Sequence, residues 1–128
     1  MEKEIILIPR IELKWSDWIS WDDLKIDARY GGGIIVPNGK SGVYEVKYGD
    51  SEIFLTIGRA SDLRMRIKQG LVKGKSAHSA GNKIRRNEDT SKIVVRWATT
   101  DRPAAAEEEL HKRFLNKFGK FPKYVEHT

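Results

Sequence analysis

Three consecutive acids, Glu107, Glu108 and Glu109, stand near the start of an apolar-striped segment, and only one of them lies where a carboxylate needs a partner. At about 100° per residue, Glu107 lies about 60° from Leu110 at the centre of the stripe, Glu108 about 160° away, and Glu109 about 100° round on the other side. Acids near a helix N-terminus favour the macrodipole, which accounts for Glu108 and Glu109. An ionised carboxylate on a buried margin wants a cation. A hard Mg²⁺ (or Mn²⁺), held by one carboxylate and several waters, suits Glu107.

The second source of chemistry is positive charge. The 128 residues include 24 Lys+Arg against 18 Asp+Glu, a net of +6. Nine of the cations (Arg59, Arg64, Arg66, Lys68, Lys73, Lys75, Lys83, Arg85 and Arg86) fall in one stretch whose single acid is Asp62, so that stretch carries +8 and the remainder −2. A mixed-sign run is ordinarily a solvated face, whereas a nearly acid-free one points to an anionic partner, because each neutralised phosphate releases counterions. No strongly amphipathic apolar face accompanies these cations, which favours nucleic acid, DNA first, over a membrane.

The rest of the composition narrows the class. A 39% hydrophobic and 33% charged chain of this length reads as one globular domain. The run Ile5 to Ile8 stops at Pro9, far short of the ~20 apolar residues of a membrane span, and the MEKE start lacks the pattern of a secretory signal. The chain has no cysteine, so disulfides, thiolate metal sites and thiol nucleophiles are excluded, and a cytoplasmic location is expected.

The elements that must position these groups follow from periodicity. Residues 1–40 read as an irregular N-terminal extension packed on the core, with one or two short strands and a helical turn, interrupted by Pro9 and by Gly31 to Gly33. Trp15, Trp18 and Trp21 lie there at a spacing of three; packing against the core is favoured over stacking on unpaired bases. Residues 41–128 form the main domain. Gly42 to Tyr48 alternates, Gly49 to Ser51 turns, and Ile53 to Ile57 returns as a hairpin closed by Gly58. Ser61 caps a basic helix over residues 62–69 that Gly70 stops. Ala77, Ala80 and Ile84 mark a weaker helix, and residues 92–98 a third strand. Pro103 opens the strongest helix, with Ala106, Leu110, Phe114 and Phe118 on one stripe up to Gly119.

These pieces resemble the GIY-YIG nuclease superfamily, whose signature is a Gly-Ile/Val-Tyr strand, a Tyr-Ile/Val-Gly strand about ten residues on, an arginine in the next helix and a glutamate in a later one. Gly42-Val43-Tyr44 matches the first element and Ile57-Gly58 most of the second. Arg66 falls on the arginine, Arg59 on the basic position after the glycine, and Glu107 on the metal-binding glutamate. The resemblance covers residues 41–124 and implies an α+β fold, a three-stranded antiparallel sheet flanked by helices, with an active site across the hairpin. It implies that Tyr44 positions or deprotonates a water with its phenol made more acidic, Arg66 stabilises the pentavalent phosphorus, Arg59 steers the backbone, and Glu107 carries the metal.

Three positions depart from the pattern: Thr56 replaces the second tyrosine, Gly70 stands where a histidine or tyrosine often follows the arginine, and Val125 stands where asparagine commonly follows Pro122-Lys123-Tyr124. His78 and Tyr48 are the accessory candidates to fill the gap. Otherwise Tyr48 is a strand residue and His78 a solvated histidine at a helix end. His111, four residues after Glu107, reads as a packing residue or a support for Glu107, not a ligand. The expected function is a metal-dependent DNA endonuclease. The alternatives are a nucleic-acid-binding module without turnover, and an interaction subunit that uses the tryptophan-bearing extension to meet a protein partner or a second copy.

Overall fold

The computed structural model describes residues 4–5, 10–26 and 34–125. Most of the Ile5 to Ile8 run, Pro9 and the triple glycine lie outside the described residues. The class is α+β. Four antiparallel strands, β1 (Ile19–Ser20), β2 (Gly42–Tyr48), β3 (Phe54–Ala60) and β4 (Ile93–Thr99), form one sheet in the order β1-β4-β2-β3.

The fourth strand corrects the expected count of three. It is two residues long, too short for any alternation to reveal, and it pairs Ile19 with Val95 and Ser20 with Val94. Strand β3 also runs past Gly58 to Ala60, because Gly58, Arg59 and Ala60 continue the ladder opposite Tyr44, Val43 and Gly42. Gly58 is thus a mid-strand packing residue. A Cβ there would lie 2.5 Å from the Tyr44 hydroxyl, so the ring of Tyr44 can cross β3 only over a residue without a side chain.

Helix α1 (Trp21–Leu24) is capped by the Ser20 hydroxyl, which accepts from the Asp23 N–H. Helix α2 (Met65–Val72) has the wider π winding, with the Lys73 N–H bonded to the Lys68 carbonyl at 3.0 Å. Its start is held by Asp62, whose carboxylate accepts from the Met65 N–H, in place of the expected Ser61. Gly70 does not stop it. The Arg85 guanidinium gathers the Gly70 and Leu71 carbonyls at 2.9 and 2.5 Å and so satisfies the acceptors at its end. Helix α3 (Ser79–Asn87) follows, and α4 (Pro103–Phe118) ends at Gly119, φ 74°, as its stripe and Pro103 require.

The sheet is covered on both faces. On one, Tyr44, Val46, Val95 and Trp97 join Ile67, Leu71 and Ile84 from α2 and α3. On the other, Val43 and Ala98 meet Ala106 of α4, with Ile11, Leu13 and Trp15 packed beside them. Trp21, Leu24 and Val36 belong to the main cluster and are at most 1 % exposed, so residues before 41 complete the core. The tryptophans pack, as expected: Trp15 and Trp18 hold the Arg96 guanidinium 4.2 and 4.6 Å from their ring centroids. Arg96 in turn pairs across the strands with the buried Glu45 at 2.5 Å. Residues 34–36 form no strand. Among the described residues no helix is long and apolar enough to cross a membrane.

Candidate active site

One open cleft of about 980 Å³ lies between β3, the start of α4 and the approach to α3. Tyr44, Arg66 and Glu107, which are 22 and 41 residues apart along the chain, all line it. Tyr44 is only 2 % exposed and forms the floor. Arg66 enters from α2, with Nη1 donating to the Ala77 carbonyl at 2.9 Å. Arg59, exposed on β3, stands at the rim.

Glu107 reaches the cleft from the second turn of α4. It is half-buried while Glu108 and Glu109 are exposed, as the helical phase predicts. It makes no hydrogen bond or ion pair among the described residues, unlike Glu45, Glu88 and Glu109. An unpaired carboxylate in a cleft suits a hard cation that keeps most of its waters. No group of three or more His, Asp or Glu side chains that could hold a metal occurs among the described residues.

His111, one turn along α4, donates Nε2–H to the Ile57 carbonyl at 2.8 Å, because a carbonyl can only accept. It therefore fixes the phase and height of α4, and with them Glu107, against β3. Thr56 is buried and lines the cleft without supplying a phenol. Tyr48 points away from the cleft; its hydroxyl donates to Glu88 at 2.5 Å, so it does not replace the missing tyrosine.

His78 is the main correction. It is not solvated: it is 5 % exposed and lines the cleft, with Nε2 2.7 Å from the Tyr44 hydroxyl. It packs beside Gly70, where a Cβ would lie 3.4 Å from the His78 ring, at ordinary contact distance, and 3.2 Å from Ser76 Oγ. The signal in the sequence was the pairing of a bare Gly70 with a histidine eight residues on, but their contact depends on the winding of α2.

The tautomer of His78 follows from its partners. Nδ1 caps α3 by accepting from the Gly81 N–H at 2.9 Å, so the proton of the neutral ring sits on Nε2. Burial first, then the charges of Arg66 and Arg85, hold the imidazole down to about 4, and the ring is neutral at ordinary pH. His78 therefore donates to the Tyr44 oxygen. Burial pushes Tyr44 up to about 12 despite the opposing pull of Arg66, with a smaller upward push from Glu107. The neighbouring cation alone therefore does not acidify the phenol, as adjacent cations or a metal were expected to do.

The basic stretch thins when its members are placed. Lys68 is buried, with Nζ donating to the Ile26 carbonyl, and Arg85 is consumed by the end of α2. Arg64 donates Nε to the Val36 carbonyl. Of the eight expected phosphate-contacting cations, Arg59, Lys73, Lys75, Lys83 and Arg86 remain at least partly exposed without such a backbone commitment in view; Lys83 has a further interaction of its own. Lys75 lines a neighbouring hollow that shares His78 and Ser79 with the cleft. With Arg66 added, the slope of log Kobs against log salt for duplex DNA should be about −5, whereas all eight with Arg66 would give about −8. Titrations at several salt concentrations measure it, and a slope steeper than about −7 would return the buried cations to the interface.

Compared with known proteins, this chain matches no family model, no curated protein and no solved structure.

Proposed function

We propose that this protein is a metal-dependent endonuclease of the GIY-YIG type, acting on phosphodiester bonds in DNA. The observation that carries the reading is the meeting of Tyr44, Arg66 and Glu107 on one cleft, with Arg59 at its rim and cations around it.

Each residue has a task fitted to its surroundings. The Tyr44 oxygen accepts from His78 Nε2–H, which leaves its own hydroxyl proton to point into the cleft and orient a water. Loss of that proton makes the phenolate the acceptor for the attacking water, and the His78 donor and the Arg66 charge steady the anion. The Arg66 guanidinium, braced by the Ala77 carbonyl, faces the charge that builds on the phosphoryl oxygens. Glu107 would hold the divalent ion, which supplies neutralisation of the departing 3′ oxygen. Arg59 tracks the strand.

The test is nicking of supercoiled plasmid by wild-type protein in Mg²⁺ or Mn²⁺. Cleavage is expected, and Glu107→Gln should stop it while gel-shift binding persists. A second reading, a binding module without turnover, is favoured by one observation: Tyr44 stands at about 12 with Thr56 in place of a second phenol. Intact plasmid with wild-type protein across several divalent metals would select that module.

A further inference from the structure

Outside the reacting groups of the cleft, a polar cluster gathers on Glu88, at the C-terminal cap of α3. Its side chain is 7 % exposed. One carboxylate oxygen accepts from the Tyr48 hydroxyl of β2 at 2.5 Å; the other accepts from the Tyr124 hydroxyl at 2.5 Å and from Lys123 Nζ at 2.7 Å. Burial alone would raise this acid, but the bonds from Lys123, Tyr124 and Tyr48 bring it down to about 2, so the carboxylate is charged at neutral pH.

The chain that Glu88 grips has a position of its own. After α4, the segment runs along the outer edge of β3, where the Lys123 N–H bonds to the Phe54 carbonyl at 3.2 Å and the Tyr124 N–H to the Leu55 carbonyl at 2.8 Å. Tyr124 and Val125 then form part of the cleft lining, beside Thr56. Two backbone bonds are a slight attachment for an edge segment. Two charge-assisted bonds, from Lys123 and Tyr124, tie it further to one buried carboxylate that Tyr48 holds from β2.

We propose that Glu88 is a positioning residue for the cleft: by gripping Lys123 and Tyr124 it seats the C-terminal wall against which the substrate strand is aligned. The inference rests on the nuclease reading for its kinetic consequence and on the fold alone for its structural one. Glu88 touches no reacting group. It acts through the Tyr124 ring and the Val125 backbone, so its removal should weaken substrate placement and spare the chemical groups on Tyr44, Arg66 and Glu107.

The test compares wild type with Glu88→Gln and with Lys123→Met, the second altering an exposed side chain that the fold can lose. Hydrogen exchange at the Lys123 and Tyr124 amides should quicken about tenfold in both, with protection at Val46 and Val95 unchanged. In plasmid cleavage KM should rise about tenfold while kcat stays within about twofold. Unchanged exchange at Tyr124, a fall in kcat at constant KM, or loss of protection at Val46 and Val95 in both variants would overturn the proposal. If wild-type protein cuts no DNA, the nuclease reading fails on that result alone. Exchange and the Kd for duplex DNA then decide the role of Glu88, with an unchanged Kd counting against it.

Discussion

Tyr44→Phe is expected to lower the rate of plasmid nicking by about a thousandfold, within the usual range for removal of a proton acceptor. The wild-type rate should meanwhile rise about tenfold per pH unit from about pH 7 to about pH 9. The sign follows from the site. Burial holds the phenol up to about 12, so the phenolate is a small fraction at neutral pH and grows in proportion to hydroxide until that value is approached. His78 adds no inflection in this window, because burial and the neighbouring arginines keep it neutral above about 4. The variant also leaves the His78 Nε2–H without its acceptor, which should cost about 1 to 3 kcal/mol of stability. Initial rates over this pH range and a urea melt check both halves. A wild-type profile that is flat, or unaltered in Tyr44→Phe, would remove Tyr44 from the reaction.

Gly58→Ala is the second large effect. The added methyl would fall 2.5 Å from the Tyr44 hydroxyl and 2.6 Å from the ring carbon that bears it. Strand β2 cannot yield easily, since it is paired on both sides, and Gly58 sits directly opposite Tyr44. The ring must therefore swing off the floor, and its 2.7 Å bond to His78 is lost with it. Overpacking of this kind costs about 1 to 3 kcal/mol, and misplacing the reacting oxygen by about 1 Å costs about a hundredfold in rate. Stability measured by denaturant and activity measured on plasmid should fall together. A variant with wild-type activity would mean that the position of Tyr44 over Gly58 has no bearing on function.

The parts of this molecule that the sequence made legible are those governed by local period. The alternation of Gly42 to Tyr48, the turn at Gly49 and the stripe from Ala106 to Phe118 each specify an element, and the helical phase alone singled out Glu107 from its neighbours. What stayed hidden depends on contacts between distant segments. His78 bonds to a residue 34 positions away and enters a space set by the winding of α2. Lys68 and Arg85 look like surface cations in a charge count, yet each donates to backbone carbonyls of distant segments, Lys68 to Ile26 and Arg85 to Gly70 and Leu71. A two-residue strand such as Ile19–Ser20 carries no alternation at all; its evidence is the partner strand.

The front of the chain bears on how this domain can be recombined with others. Residues 41 onward do not close their own interior, because Trp21, Leu24 and Val36 fill it and Trp15 and Trp18 roof the Arg96–Glu45 pair. Ser16 adds two bonds to the backbone of Trp97, one through its N–H and one through its hydroxyl. The cleft-bearing half is therefore no portable cassette. Grafted elsewhere without its leading segment it would expose a greasy hollow beside β4, so what precedes the hairpin cannot be exchanged without refilling that hollow.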